Sequence, residues 1–254
     1  MAADQNSQTQ NSQSQNSQTQ GSQAENSDAN SDANAENQAA PLHPAAPLGD
    51  AALDQLFRTA RSYSYFLPKP VDDATLRRLY ELMKWGPTSV NGCPARILFL
   101  RTPESKQRLV PALAPTNVAK MLSAPIAAIV GFDIRFYDRL EKLAPQSPGY
   151  KTMFEKSPEL ADATARRNSS LQGAYLMLAA RALGLDCGPM SGFDHAKVDA
   201  EFFGAGKEIT GCEQEFFPVT HVRSNFICNL GYGDPSRLHP RSPRLEFEEA
   251  CALL

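Results

Sequence analysis

The run VDDATLRRLYELMKWGPTSVNGCPARILFLRTP, residues 71–103, passes from helix to loop to strand and into a second helix. Asp72 or Asp73 caps the first segment, and Leu76, Leu79, Tyr80 and Met83 recur at the 3.6-residue period that places them on one face. Gly86-Pro87 ends it. ARILFLR is expected to form a short buried strand, and Thr102-Pro103 opens the next helix, the hydroxyl as N-cap and proline in the first turn. Between helix stop and strand stand Thr88, Ser89, Asn91 and Gly92, more hydroxyl and amide than a plain connector uses. PTSVN (87–91) therefore reads either as a loop lining a polar ligand or as a helix stop and turn.

Further along, IAAIVGF (126–132) is a second buried strand, and Ser157-Pro158 opens the longest helical stretch, through SSLQGAYLMLAARALG to Gly184. NFICNLGYG (225–233) makes a third strand, and LEFEEACALL (245–254) a final helix. GCEQEFFPVTHVRS (211–224) fits no period and reads as an inserted loop. Long helices around a few short strands give an α+β or α/β layered domain.

The first 52 residues contain no Lys or Arg, no Phe, Trp or Tyr, and no Val or Ile. Near-repeats such as QNSQTQ and NSDAN cannot bury enough apolar area to offset the entropy of ordering. The organisation expected is a disordered Gln/Asn/Ser-rich tail over 1–48 and one domain over 49–254. The tail has neither the basic and apolar regions of a signal peptide nor the arginines of a transit peptide. Without the six carboxylates of the first 52 residues (Asp4, Glu25, Asp28, Asp32, Glu36, Asp50) the chain's net charge of −3 becomes +3. A body so mildly basic is compatible with an anionic small molecule and too weakly charged to argue for nucleic acid, and none is expected. No apolar run approaches the roughly 18 residues of a membrane span. The five cysteines show neither C-x-x-C pairs nor an even count, so no zinc site or disulfide framework is expected. A cytoplasmic globular protein is the expectation.

Familiar catalytic signatures are missing: there is no G-x-S-x-G elbow and no H-E-x-x-H. Gly204-Ala205-Gly206-Lys207 lacks the Ser/Thr that a phosphate loop places next, and Gly231-Tyr232-Gly233-Asp234 lacks the third glycine and the helix of a dinucleotide site. His195, His221 and His239 stand isolated from one another and read as surface or capping residues. Two further polar segments remain beside PTSVN. CGPMSGFD (187–194) reads either as exposed N–H groups facing a ligand, or as a C-cap at Gly188 followed by an N-cap at Asp194. Arg61-Ser62 and Arg241-Ser242-Pro243-Arg244 pair guanidinium with hydroxyl, a combination suited to a phosphate or simply a solvated surface.

In this order, WGPTSVNGCPARILFL, PMSGFD and the closing RSPRLEFEEA resemble the segments that define the FMN-dependent nitroreductase family, from about Ala51 to Leu254. ELMKWGPTS, RNSSLQGAYL, ALGLDCGPMSGFD and GYGDPSRL are similar to its malonic semialdehyde reductase branch, which acts in pyrimidine degradation. The resemblance implies an α+β fold of three layers, with a mainly antiparallel sheet between helices, and a homodimer holding one FMN at each of two interface sites. It assigns Arg61, Ser62 and Arg241 to the phosphate. It places Pro87, Thr88, Ser89 and Asn91 along the ribityl chain and ring, and Pro189, Met190, Ser191 and Gly192 at the reactive edge.

The activity implied is hydride transfer from NADPH or NADH to flavin N5 and on to the substrate, a ping-pong cycle turning malonic semialdehyde into 3-hydroxypropionate. N–H groups at 190–192 would stabilise negative charge on the reduced ring. Arg166, Arg167 and Arg223 are candidates for the substrate carboxylate. The chain departs from the family pattern at Ser64, where Arg or Lys is common, and at Cys93-Pro94-Ala95, where Gln-Pro-Trp is common. A broad nitro, quinone or enal reductase, and a flavin-binding or interaction protein without turnover, stay open beside the first reading.

Overall fold

The computed structural model describes residues 46–207, 209, 217 and 219–254. Nearly all of the expected tail, and residues 211–216 of the expected inserted loop, lie outside the described residues. Leu48–Leu254 forms one compact unit.

Four strands make one antiparallel sheet: β1 Ala95–Leu100, β2 Ile126–Asp133, β3 Asp186–Met190 and β4 Val222–Gly231, in the spatial order β1-β2-β4-β3. The helices are α1 Asp50–Leu53, α2 Asp73–Met83, α3 Pro103–Leu109, α4 Pro115–Ser123, α5 Leu140–Leu143, α6 Gly149–Glu155, α7 Pro158–Ala182, α8 His195–Phe202 and α9 Phe247–Ala250. The α+β architecture is the one expected. On one face, Leu79 and Met83 of α2 and Leu176 and Ala180 of α7 pack on Ala128, Val130 and Leu230. On the other, Leu109, Met121, Val198 and Phe202 from α3, α4 and α8 cover Ala127, Ile129 and Ile227. Every residue of β2 is buried, which is why it reads as an unbroken apolar run.

Asp72, not Asp73, caps α2, its carboxylate accepting the Thr75 N–H at 2.7 Å. Thr102 caps α3 in a capping box closed by Ser105.

Four expectations need correction. β1 is a half-buried edge strand, and among the described residues nothing pairs with its outer side. The segment at 187–190 is not a helix cap: α7 has already ended, Gly184 takes the left-handed turn (φ 76°), and Gly188 lies inside β3. β4 begins at Val222, so it takes in the last residues of the expected inserted loop. The closing helix is a single turn, Phe247–Ala250, and Cys251 is already extended. So short a helix is marginal without packing, and Leu245, Phe247, Leu253 and Leu254 are all exposed. No helix of the described residues is long and apolar enough to cross a membrane.

Candidate functional site

α1 runs into one wider π-type turn, Asp54–Arg58, whose carbonyls two distant arginines reach. Arg181, on the last turn of α7, donates from Nη1 to the Leu56 carbonyl at 3.0 Å. Arg241 donates from Nη2 to the carbonyls of Arg58 (3.0 Å) and Ala60 (2.7 Å). Arg61, just past that turn, donates to the His239 carbonyl. These contacts close a cavity of about 490 Å³, whose walls include Arg61, Arg181, Arg237, Arg241 and Arg244 and no carboxylate. The hydroxyls of Ser62, Ser64 and Ser242 also line it. A cavity of this charge is built for an anion.

The cavity opens at the start of β3. The Tyr63 N–H donates to the Cys187 carbonyl at 2.9 Å, and Ser62 forms a parallel bridge with Cys187. Residue 187 therefore faces away from β4, and by the two-residue alternation so does Pro189, which has no N–H to leave unpaired at that edge. A side chain at Gly188 would collide with the Tyr63 carbonyl, so only glycine lets residue 63 cross so closely. Past β3 the chain is pinned from α4: the Gly192 carbonyl accepts from the Ala114 N–H and from Asn117 Nδ2, both at 3.0 Å. A Cβ at Gly192 would lie 2.7 Å from that amide nitrogen. Asp194 N–H donates to the Ala112 carbonyl, and the Asp194 carboxylate caps α8. Among the described residues the N–H groups of Ser191 and Gly192 meet no acceptor. At about 3.3 Å per residue Ser191 stands roughly 13 Å along the chain from Cys187, which bridges Ser62 of the cavity wall.

PTSVN takes a different position. Val90, Asn91 and Cys93 hold left-handed backbone (φ 52°, 51° and 41°), which costs an L-residue on the order of 1–2 kcal/mol each. Bonds from outside hold the loop there. Ser89 N–H donates to Asn168 Oδ1 and Ala95 N–H to Gln172 Oε1, each at 2.8 Å. Cys93 N–H donates to Thr88 Oγ1 (3.2 Å), and Asn91 Nδ2 to the Leu143 carbonyl (2.8 Å). Both α7 side chains are buried.

The sequence-predicted residues thus fall into two groups. Arg61, Ser62, Arg241 and the turn Pro189, Met190, Ser191, Gly192 lie along β3. Pro87, Thr88, Ser89 and Asn91 lie at the entry to β1, the opposite edge of the sheet, three strand spacings or about 14 Å across. Arg181, His239, Asn117, Asn168 and Gln172 were missed. The one available signal was Asn168 and Gln172 themselves, polar residues four apart on what the apolar period marks as the buried face of α7.

Burial, the larger influence, and then the charge of Asp186 push the Tyr63 hydroxyl up, against Arg61, so it stays protonated beside the cavity. Burial also pushes the Asp186 carboxyl up, although it accepts the Gly233 N–H at 2.9 Å and feels Arg181. In the ion pair Arg96–Asp133 (2.9 Å) burial moves the two partners in opposite directions, Arg96 down and Asp133 up, and their attraction offsets only part of it. Of the carboxylate candidates, Arg166 stacks over Phe132 (4.8 Å) and lies 3.8 Å from Asp162, and Arg223 donates to backbone carbonyls. Arg167 is exposed on α7.

A larger groove, about 1180 Å³, runs along the outer edge of β1 between Leu76, Tyr80, Ile97 and Phe99, with Arg77 and Arg101 on its rim. It contains none of the predicted residues. We give the smaller cavity priority because its wall carries one sign of charge, whereas the groove mixes Asp73 and Glu81 with its cations.

A sequence model of the nitroreductase family matches residues 57–212. HadB of Ralstonia pickettii, provisionally named an NADH dehydrogenase/NAD(P)H nitroreductase, is 55% identical over 205 residues, 80% of this chain and 97% of its own. A Cupriavidus pinatubonensis protein of the same provisional name is 54% identical over 203 residues, 79% of this chain and 96% of its own. Among solved structures, a provisional nitroreductase from Exiguobacterium sibiricum in complex with FMN superposes with TM-score 0.67 at 21% identity, covering 83% of this chain and all of that one. A gut-bacterial enone reductase of fatty acid saturation gives TM-score 0.65 at 18% identity, over 82% of this chain and all of that one.

Proposed function

This chain belongs to the nitroreductase family, and from that premise we propose that it is an FMN-dependent NAD(P)H oxidoreductase whose substrate is malonic semialdehyde, reduced to 3-hydroxypropionate. The cavity of about 490 Å³ at the head of β3, walled by arginines and free of carboxylates, carries the cofactor reading. It fits a phosphate monoester, and the outward edge of β3 leads from it towards the N–H groups of Ser191 and Gly192, which meet no acceptor among the described residues. In this reading Arg61, Ser62 and Arg241 hold the phosphate, and Pro189, Met190, Ser191 and Gly192 line the ring. When bound there, FMN would supply two-electron hydride chemistry between NAD(P)H and the aldehyde.

The chain's own part is to fix and polarise. Ser191 and Gly192 direct their N–H groups to where the ring gains negative charge, without reorganisation at that moment. Asn117 and Ala114 hold the Gly192 carbonyl, and the Phe193 N–H holds the Ser191 carbonyl, so the turn is fixed from both sides.

Pro87, Thr88, Ser89 and Asn91 join this site as the loop of a second copy. One chain puts the loop and the turn on opposite sheet edges, and among the described residues the outer edge of β1 has no partner. A homodimer answers both. The segments ELMKWGPTS, RNSSLQGAYL and ALGLDCGPMSGFD support the aldehyde substrate. The nitroreductase names of the relatives favour a broader reductase as the second reading.

The test is a visible spectrum of the purified full chain, followed by anaerobic mixing with NADPH and then the aldehyde. A yellow protein bleached by NADPH and re-oxidised by malonic semialdehyde, with 3-hydroxypropionate formed, is the expected result, and Arg241→Ala should lose flavin on gel filtration. A flavin that bleaches but ignores the aldehyde refutes the substrate. A chain that takes up no FMN refutes the cofactor and the reaction together.

A further inference from the structure

The cavity is more cationic than Arg61 and Arg241 make it, and Arg181 is the reason to look further. It enters from the last turn of α7 and is pinned twice to the segment before Arg61. Its Nη1 donates to the Leu56 carbonyl at 3.0 Å, and its own carbonyl accepts from Gln55 Nε2 at 2.7 Å. Its position is therefore fixed before any ligand arrives. Its Nε is buried and has no hydrogen-bond partner among the described residues. A buried charged donor left unpaired is among the costlier defects a fold can hold, so native structures nearly always satisfy one.

With Nη1 spent on Leu56, the remaining edge of the guanidinium, Nε with Nη2, is the edge that takes an oxyanion side-on with two parallel bonds. Among the described residues no carboxylate bonds it: the cavity wall has none, and Asp186, whose charge Arg181 feels, spends its Oδ2 on the Gly233 N–H. Ser64 lines the same cavity but brings only a short neutral hydroxyl.

We infer that Arg181 is a phosphate ligand, a third cation beside Arg61 and Arg241, supplying from helix α7 the charge that position 64 does not. This rests on the flavin reading above and adds a residue to it.

The experiment compares FMN with riboflavin, which has the same ring and ribityl chain without the phosphate. Dissociation constants of both are measured by flavin fluorescence for the wild type and Arg181→Met, with a melting curve of each apoprotein. Arg181→Met is expected to weaken FMN about tenfold to a hundredfold, the worth of hydrogen bonds to a charged group, and to leave riboflavin within about twofold. Adding Ser64→Lys to Arg181→Met should recover part of the FMN affinity and none for riboflavin. Equal losses for both flavins, or unchanged FMN binding, overturn the inference, and so does full FMN affinity in Arg181→Gln, which keeps an amide for the Leu56 carbonyl without the charge, since Arg181 would then act only by holding the turn before Arg61. Should Arg181→Met fail to fold, Arg181→Gln takes its place, and the same ratio decides. A wild type that binds neither flavin overturns the flavin reading itself, and this inference with it.

Discussion

Replacing Asn168 with alanine separates the loop at 87–93 from the helix that holds it. The side chain is 1% exposed and makes two bonds at 2.8 Å, accepting from Ser89 N–H and donating to the Thr164 carbonyl. At roughly 1 kcal/mol net for each bond, with a further cost for the space left behind, the native state should lose about 2–3 kcal/mol. For a domain of this size that lowers the melting temperature by about 4–10 °C. The loop responds in a second way. Val90, Asn91 and Cys93 store on the order of 3–6 kcal/mol in left-handed backbone, which outside contacts must hold in place. Losing the Ser89 anchor lowers the free energy of opening that segment by up to the same 2–3 kcal/mol. Amide exchange should then speed up by about 30- to 150-fold, since 1.4 kcal/mol is a factor of ten. The amides to follow are those of Asn91, Gly92 and Cys93, which are bonded within the loop at 3.0–3.2 Å. Hydrogen–deuterium exchange read on a peptide covering 86–95 measures it, with Arg167→Ala on the exposed face of α7 as control. If the melting temperature falls while exchange in that peptide stays at the wild-type rate, Asn168 only fills space and the clamp argument is wrong.

Two further perturbations address the buried charges. Arg96→Met takes away the guanidinium that offsets the burial of Asp133, in a site where both side chains are largely out of water (11% and 2% exposed). About 3–5 kcal/mol should be lost in urea unfolding. Adding Asp133→Asn removes the carboxyl left without its partner and keeps an acceptor for the Arg135 N–H, so it should restore a large part; no recovery would mean the pair is not the source of the loss. Asp186 tests the sign of a raised carboxyl. Because the folded state holds its proton more tightly than the unfolded chain, the associated stability is complete below the ordinary carboxylate range near pH 4 and drains away as pH rises through the folded value. Asp186→Asn does not titrate, so the stability of the wild type relative to the variant should fall across that window in a denaturant series from pH 4 to 7. A wild-type advantage that grows with pH would contradict the burial argument.

By itself the sequence determined the parts of this protein whose causes lie within a few residues of one another. The 3.6-residue recurrence of Leu76, Leu79 and Met83, the Asp72 cap, the Thr102-Pro103 start and the unbroken apolar run of β2 are all short-range patterns, and each became the expected element. The polar character of PTSVN and the basic pairs at 61–62 and 241–244 were equally legible, since residue type alone carries them. Only the tertiary structure decided the rest. Asp186–Met190 has a glycine and a proline among five residues, so its strand state comes from pairing with β4 and not from its own preferences. β1 looks as apolar as β2, and only its place at the end of the strand order leaves it half exposed. Arg181 and Arg241 meet at the carbonyls of one turn because α7 and the closing segment both return there. Asn168 and Gln172 are polar where the helical period asks for apolar residues, and they make sense only once the strained loop they hold is in place. Pairing, burial and convergence depend on what lies across the fold, and no window of neighbouring residues contains that.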